Sequence, residues 1–192
     1  VLLPTQPATK AILRSAGFTL AMIETQLEAG RLVRLRSGVF LATSALPSEP
    51  AGHHVVLAHA EQARYPEAVL SHESAAIVWN LPTPGVRPWH ESLPAVTLAA
   101  GTTQRSRLGV AAHHIGRLPP HHVARDAAGY AVTSVARTAV DLAGRYPLPE
   151  QLVLLDAAAR RICDSLVANP RRRDYANPKL IAEARRLFLE AA

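Results

Sequence analysis

The sequence predicts an α+β protein: a reduced N-terminal winged helix-turn-helix, followed by an α+β domain with a small, mostly antiparallel sheet. Three observations predict this class. Two short helical patterns joined by a glycine-containing turn open the chain, a hairpin pattern follows them, and short β-type runs later alternate with helical patterns. We expect a winged helix over residues 1–43, a linker over 44–52 and an α+β domain over 53–192.

The composition indicates a folded, arginine-rich chain. Of 192 residues, 48% are hydrophobic and 19% are charged, which supports a packed core. The net charge is +6, and 19 of the 21 basic residues are arginines. The planar guanidinium fits phosphate well, so nucleic acid is a natural partner. A coding preference for Arg and Ala would produce the same bias, and composition alone leaves both explanations open.

The cysteine content and the pattern of apolar residues predict the cellular compartment of the protein. The single cysteine, Cys163, excludes an internal disulfide framework and fits a reducing compartment. No apolar run approaches the roughly 20 residues that span a bilayer, and the N-terminus lacks a signal-peptide pattern. We therefore expect a soluble, cytoplasmic protein with no membrane partner.

Two helices are predicted at the start of the chain. Pro7 suits the first turn of a helix that runs to Ala16, and Gly17 suits the left-handed position that ends it. Thr19 is a candidate N-cap for a second helix from Leu20 to Ala29. Helical spacing divides this second helix into a buried face of Leu20, Ile23 and Leu27 and an opposite face of Ala21, Met22, Thr25 and Ala29.

A hairpin pattern follows the second helix. Strand alternation places Leu32, Arg34 and Arg36 on one face and Val33 and Leu35 on the other. Ser37-Gly38 suits a two-residue turn, after which residues 39–41 return. This register sets Leu35 opposite Phe40. Only six residues precede Pro7, so we expect the usual leading helix of a winged helix to be missing or clipped in this sequence.

The remainder of the chain reads as a linker and a second domain. Residues 44–52 are rich in Ser, Pro and Gly. Ser71 is a candidate N-cap for one of the helices beyond them. The predicted helices are 53–64, 72–79, 135–145, 150–162 and 178–190, the predicted strands are 95–100, 109–115, 122–127 and 130–134, and a basic loop covers 168–179.

The N-terminal unit carries a disproportionate share of the positive charge. Residues 1–43 contain five basic and two acidic residues, so their net charge is +3. Thr25 and Gln26 are the side chains best suited to touch base edges, Met22 suits a thymine methyl, and the arginines suit phosphates. On residues alone, a solvated hairpin beside a packing helix is an equal alternative. The predicted DNA-contact residues are Lys10, Arg14, Thr19, Met22, Thr25, Gln26, Arg31, Arg34 and Arg36.

Two blocks of the second domain carry a family resemblance. They are "VLSHESAAIVWNLP" (69–82) and "YAVTSVARTAVDLA" (130–143), and the hairpin reads Arg36-Ser37-Gly38-Val39-Phe40. Together they resemble the AbiEi family of type IV antitoxins and related transcriptional regulators. The family has a tyrosine at the position of Phe40 in this sequence. The resemblance covers residues 7–162 and most of the chain.

The resemblance implies a DNA-binding antitoxin that represses its own operon. Its partner would be double-stranded DNA of its own promoter, with inverted repeats, and its second domain would counteract a nucleotidyltransferase-type toxin without a stable complex. Many relatives carry a further Vsr-like nuclease domain, whereas this sequence ends at Ala192 without one. Two alternatives stay open: an interaction module whose winged helix binds no DNA, and a regulatory fragment of a larger nuclease-bearing chain.

The residues of the two motif blocks have two possible roles. Arg137 and Asp141 are spaced for an i, i+4 pair, and Thr133 or Ser134 suits an N-cap, which favours a structural network. The other role is an interaction surface for antitoxin activity. The residues concerned are Ser71, His72, Ser74, Thr133, Arg137, Thr138 and Asp141.

We predict no catalytic residue, metal or cofactor. Ser71 and His72 are adjacent and should point in different directions, and the patterns of nucleotidyltransferases, restriction-type nucleases, Walker A loops and dinucleotide folds are missing. Adjacent histidines on a strand face opposite sides, so a doublet such as His113-His114 cannot chelate with both members. One histidine from each strand could still combine at a metal. The basic loop Arg171-Arg172-Arg173 suits either DNA phosphates or a solvated turn.

Overall fold

Seven α-helices and two small sheets build the part of the chain that the structure describes, which confirms the α+β class. The structure is a computed structural model and describes residues 1–85, 87–101 and 110–192. The strands are β1 (Ala8–Thr9), β2 (Leu32–Arg36), β3 (Val39–Ala42), β4 (Val69–Leu70), β5 (Ala95–Ala99), β6 (Ala112–Gly116), β7 (Val123–Arg125) and β8 (Ala131–Thr133). The helices are α1 (Lys10–Ser15), α2 (Leu20–Glu28), α3 (Pro50–Arg64), α4 (His72–Val78), α5 (Val135–Ala143), α6 (Leu148–Ser165) and α7 (Pro178–Ala191).

The first sheet is antiparallel and joins the beginning of the chain to the hairpin. Its strand order is β1-β3-β2, and Ala8 pairs with Phe40. The prediction of a helix from Pro7 is wrong at its start, because residues 8–9 are engaged in this pairing and α1 begins only at Lys10. The Thr9 hydroxyl caps α1 by accepting a hydrogen bond from the backbone N–H of Ile12.

The second sheet has five strands in the order β6-β5-β4-β8-β7. β4 runs antiparallel to β5 but parallel to β8, and β5 runs parallel to β6. The expectation of a mostly antiparallel sheet is therefore wrong for this sheet, which is mixed. The two-residue strand β4 was not predicted, and it occupies the centre of the sheet. The predicted strand 109–115 begins at a position outside the described residues and is seen as β6.

Helix α3 connects the two sheets. It begins at Pro50, because proline needs no hydrogen-bond partner for its nitrogen in the first turn. The predicted linker over 44–52 is therefore wrong over its last three residues. On α3, Ala60 packs in one buried cluster with Leu35 and Leu41 of the hairpin, while Ala58 packs in another with Leu70 and Val132 of the second sheet. The hairpin and the second sheet thus share one supporting helix.

Three helices complete the chain. α5, α6 and α7 occur where helical spacing predicts them, with ends that differ by a few residues. Leu142 of α5 and Leu154 of α6 are fully buried in one cluster, and Phe188 of α7 packs against it. The predicted basic loop contains a 3₁₀ turn over Asp174–Ala176, and α7 already starts at Pro178. Among the described residues, no helix combines the length and the apolar character that crossing a bilayer requires.

Candidate nucleic-acid interface and paired-motif cluster

The N-terminal unit, residues 8–42, is a strand, a helix pair and a hairpin built by local signals. Four residues separate α1 from α2, and Gly17 among them has a φ of +91°, which glycine adopts without strain. The Thr19 hydroxyl accepts a hydrogen bond from the backbone N–H of Met22 at 3.1 Å and caps α2, as predicted. Helix pair and hairpin enclose a small core of Leu13, Phe18, Ile23, Leu32 and Phe40.

Four of the predicted DNA-contact residues present free positive charge on this unit. Lys10, Arg14, Arg31 and Arg34 are exposed. None of the four forms an ion pair with a described carboxylate, in contrast to Arg36 of the same hairpin. The Arg34 guanidinium lies 5.6 Å from the centre of the Phe40 ring, an arrangement that leaves its donors open to solvent. The unit can therefore offer four cations to an anionic partner.

The predicted shared face of Arg34 and Arg36 is wrong. A bulge interrupts the pairing of β2 with β3, so Arg34 lies opposite Phe40 and Arg36 lies opposite Val39. Leu35 is therefore not the partner of Phe40. It is buried against Ala60 of α3 instead. The turn at Ser37-Gly38 is confirmed, with Gly38 at a φ of +77°.

Arg36 points into the protein because of this bulge. Its Nε donates to Oε1 of Glu61 at 2.9 Å, and its Nη2 donates to the carbonyl oxygen of Val110 at 3.0 Å. Glu61 is fully buried and also lies 3.3 Å from Nε2 of His113. A buried carboxylate needs such partners, so the Arg36 guanidinium is committed to Glu61. We leave Arg36 out of the proposed DNA contacts.

Helix α2 differs from its predicted faces at two positions. Leu20, expected to be buried, is exposed, and Met22, expected to face solvent, packs against the core of the unit. Met22 is therefore a weaker candidate for a thymine methyl contact. Thr25 is exposed, although its hydroxyl donates to the carbonyl oxygen of Ala21, and Gln26 is half-buried. Two carboxylates, Glu24 and Glu28, share the exposed side of α2.

The two motif blocks come together in the second sheet. β4 and β8 are adjacent and parallel, so the residues that follow them, Ser71 and Ser134, start α4 and α5 at the same edge. The Ser134 hydroxyl accepts from the backbone N–H of Arg137 at 3.0 Å and so caps α5. The Trp79 indole N–H of the first block donates to the Thr133 carbonyl oxygen of the second at 2.7 Å.

Four hydroxyl-bearing residues of the motif blocks lie in the interior of the protein. Ser71, Ser74, Thr133 and Thr138 are all fully buried. Ser74 Oγ accepts from the backbone N–H of Ala95 at 2.8 Å and lies 2.9 Å from Nε2 of His54. The hydroxyls of Thr133 and Thr138 lie 2.7 Å apart. Each of these buried hydroxyls has a hydrogen-bond partner within the protein, which favours a structural role for them.

The charged residues of the motif blocks form a network at the surface. Arg137 Nε donates to Oδ1 of Asp141 at 2.9 Å, the predicted i, i+4 pair, and Nη1 lies 3.3 Å from Nδ1 of His122. Arg145 Nη1 donates to Oε1 of Glu73 in the first block at 2.7 Å. We refer to His72, Glu73, His114, His122, Arg137, Asp141 and Arg145 as the motif cluster.

His72 has the most unusual environment in the motif cluster. Its φ is +50°, a value rare for residues other than glycine, and its ring stacks on that of His114 with 3.5 Å between the ring centres. Burial lowers the pKa of His72 to about 3, and the positive charges of His114, Arg145 and Arg137 act in the same direction. Both rings are therefore neutral at pH 7, because burial also lowers the pKa of His114.

The left-handed backbone of His72 brings its ring to Ser71. Nδ1 of His72 lies 2.9 Å from Oγ of Ser71, so the prediction that the two side chains diverge is wrong. The Ser71 hydroxyl is fully buried, and a substrate atom cannot approach it. The contact orients the histidine ring and offers no exposed nucleophile.

The structure separates the histidines of the doublet on β6. His113 faces α3 and Glu61, while His114 faces His72, as strand alternation predicts. Within the described ranges, no group of three or more His, Cys, Asp or Glu residues is arranged to hold a metal ion.

His114 and Arg145 are members of the motif cluster that sequence reasoning missed. They lie 42 and 72 residues from their contacts His72 and Glu73, and no local spacing signals either pair. His114 belongs to a histidine doublet and Arg145 lies two residues after the second block, and these are the sequence signals that pointed towards them.

Comparisons with known proteins do not identify this chain. No model of a protein family matches it, and no curated protein sequence is significantly similar to it. The resemblance to the AbiEi family therefore depends on the two motif blocks and the hairpin alone.

Proposed function

We propose that the N-terminal unit is a winged helix-turn-helix that binds double-stranded DNA, and that the protein is an AbiEi-type antitoxin that represses its own operon. The observation that carries the DNA-binding part is the set of four exposed cations, Lys10, Arg14, Arg31 and Arg34, that no described carboxylate neutralises. Cations without internal partners can replace the counterions of DNA phosphates. Arg36 is excluded from this set by its bond to Glu61.

The topology of the unit supports this proposal. A helix pair joined by four residues with a glycine lies between β1 and the β2–β3 hairpin, and β3 is the central strand. This arrangement is the one a helix-turn-helix with an attached hairpin would need. α2 would lie in the major groove, and Arg31 and Arg34, just before β2 and within it, would contact the DNA phosphates. Thr25 and Gln26 remain the candidates for base contacts.

One observation favours the alternative of an interaction module that does not bind DNA. Glu24 and Glu28 stand on the exposed side of α2, where they would face phosphates and repel them. A carboxylate in the major groove can accept a hydrogen bond from cytosine, which is the only favourable role for either side chain there. The two functions therefore predict opposite results for the affinity of the protein for DNA.

A binding titration separates these functions. The full chain is titrated into a labelled duplex of its own promoter and into a scrambled duplex of equal length, over a series of salt concentrations. We expect the variant with Arg31→Ala and Arg34→Ala to lose about tenfold or more in affinity and to reduce the salt slope by about two. The matched control removes the same charge outside the unit, at the exposed residues Arg117 and Arg161.

The control variant shows whether the loss of affinity comes from contacts of the N-terminal unit with DNA or from the lower positive charge of the protein as a whole. We expect the Arg117→Ala, Arg161→Ala variant to keep its affinity within about twofold, since distant exposed charges contribute little. Equal losses in both variants would refute a DNA-binding surface on the N-terminal unit. Absence of any preference for the promoter over the scrambled duplex would refute the repressor function.

The antitoxin part of the proposal concerns the second domain. It is supported by the assembly of both motif blocks into one cluster, with Arg137, Asp141, Glu73 and Arg145 at the surface. Co-expression with a nucleotidyltransferase encoded beside this gene tests it: the wild-type chain should restore growth. The Arg31→Ala, Arg34→Ala variant should restore growth equally well, because those residues serve the DNA and not the antagonism.

A further inference from the structure

An apolar groove lies between α6 and α7. It encloses about 600 Å³ and is lined by Leu152, Asp156 and Cys163 of α6 and by Ile181, Arg185 and Leu189 of α7. Leu152 is 57% exposed, Leu189 is 68% exposed and Ile181 is 45% exposed. Three large aliphatic side chains that are each more than two-fifths exposed to water on one surface are costly unless another surface covers them.

Two opposite charges stand on this same surface. Asp156 and Arg185 are exposed, and neither has an ion-pair partner among the described residues. The neighbouring Arg186 differs, because Glu183 and Glu190 of its own helix neutralise it. The groove therefore combines an apolar floor with one available carboxylate on α6 and one available guanidinium on α7.

The antiparallel course of the two helices makes this surface self-complementary. Near one end, Ile162 shares a cluster with Ala184, and further along, Leu155 and Phe188 pack against a common cluster. The groove lining runs from Leu152 to Cys163 on α6 and from Ile181 to Leu189 on α7, so Asp156 and Arg185 both lie near its middle, on opposite sides. A two-fold axis along the groove lays α6 of each copy over α7 of the other, and this places Asp156 of each copy over Arg185 of the other.

We propose that the α6–α7 groove is a self-association surface and that its occupant is a second copy of this chain. The aliphatic side chains would form the centre of the contact, and two reciprocal Asp156–Arg185 pairs would fix its register. Four helices then pack in two layers, as in a helix bundle. The proposal goes beyond the DNA-binding function and does not rest on it, because it concerns the free protein.

Sedimentation equilibrium of the full chain, without DNA, tests the proposal through charge reversal. The wild type should be dimeric. Asp156→Arg and Arg185→Asp, each alone, should raise the dimer dissociation constant by about 10- to 100-fold, since both reciprocal pairs become repulsive. An equimolar mixture of these two variants should form heterodimers with an affinity near that of the wild type, because every facing pair is again opposite in charge.

Each result is decisive for the groove. A wild type that stays monomeric overturns the proposal, as would happen if another protein occupied the surface. Single variants that dimerise as well as the wild type, or a mixture that stays monomeric, overturn the two-fold pairing. Far-ultraviolet circular dichroism and thermal melting establish that both exposed substitutions leave the fold intact. A Leu189→Glu variant, which charges the apolar centre, should be monomeric alone and in every mixture.

Discussion

Arg34 and Arg36 stand two residues apart on one strand, yet one is exposed and the other reaches into the protein. The bulge in β2 rotates Arg36 towards α3, where the fully buried Glu61 holds it at 2.9 Å. Arg34, which precedes the bulge, is exposed, and its guanidinium lies 5.6 Å from the centre of the buried Phe40 ring. Arg36 therefore stabilises the fold, whereas Arg34 is available to an anionic partner.

This difference predicts opposite effects of the same substitution. Arg36→Ala leaves the buried carboxylate of Glu61 without its guanidinium, so we expect a loss of about 3–5 kcal/mol in the free energy of unfolding. Arg34→Ala should change that free energy by no more than about 0.5 kcal/mol, because it removes an exposed side chain. Urea unfolding followed by circular dichroism measures both. Similar losses in the two variants would contradict the assigned positions.

At the scale of elements, α4 shows how tertiary contacts shape a helix start. Ser71 occupies the N-cap position, but its hydroxyl contacts the His72 ring instead of capping the helix through a backbone N–H. His72 adopts a left-handed backbone there and stacks on His114 of β6. This arrangement keeps the imidazole neutral and nine-tenths buried at the edge where the two motif blocks meet.

The neutral state of His72 predicts that acid destabilises the protein. Its pKa is about 3 in the fold against 6.5 in the unfolded chain, so the unfolded state binds more protons between these values. The contribution of the neutral His72 ring to the free energy of unfolding is complete above pH 6.5 and is lost as the pH decreases towards 3. His72→Asn tolerates the left-handed backbone and removes the titrating ring. We expect the slope of unfolding free energy between pH 4 and 6 to decrease by up to about 1.4 kcal/mol per pH unit.

Urea unfolding at a series of pH values measures this slope for the wild type and for the variant. The variant should retain part of the pH dependence, because burial also lowers the pKa values of His54, His59 and His114. Equal slopes in the two proteins would show that His72 is not held neutral by the fold.

At the scale of the whole molecule, α3 and Glu61 bind the N-terminal unit to the second sheet. Glu61 contacts Arg36 of the hairpin and His113 of β6, and Ala60 closes the apolar cluster beneath Leu35 and Val39. If the N-terminal unit binds DNA as proposed, these contacts would fix its orientation relative to the rest of the chain. If the α6–α7 groove pairs two copies, the two units of the dimer would then have a defined spacing, as palindromic sites require.

The shared helix predicts a single cooperative unfolding transition. Hydrogen exchange measured by mass spectrometry at increasing urea should show peptides from the hairpin and from β8–α5 losing protection at the same denaturant concentration. The Glu61→Gln variant should separate the two midpoints, with the hairpin opening first, because the charge that holds Arg36 is gone. An early, separate opening of the hairpin in the wild type would contradict the coupling.

The sequence by itself determined several local features of this protein. Helix starts at Thr19 and Ser134, the turn at Ser37-Gly38 and the left-handed Gly17 all follow from the conformational preferences of a few adjacent residues, and the structure agrees with each. The helical spacing of the C-terminal segments was sufficient to predict α5, α6 and α7. The α+β class follows from these elements, because class depends on which elements exist and not on how they pair.

Only the tertiary structure decided how these elements face one another. The strand β4 has two residues and no periodicity to reveal it, so the parallel pairing of Leu70 with Val132 and the mixed sheet could not be predicted. The bond between Arg36 and the buried Glu61 joins residues 25 positions apart. The stack of His72 on His114 joins residues 42 positions apart. Such contacts arise from burial and pairing between distant parts of the chain, and the spacing of residues along the sequence does not predict them.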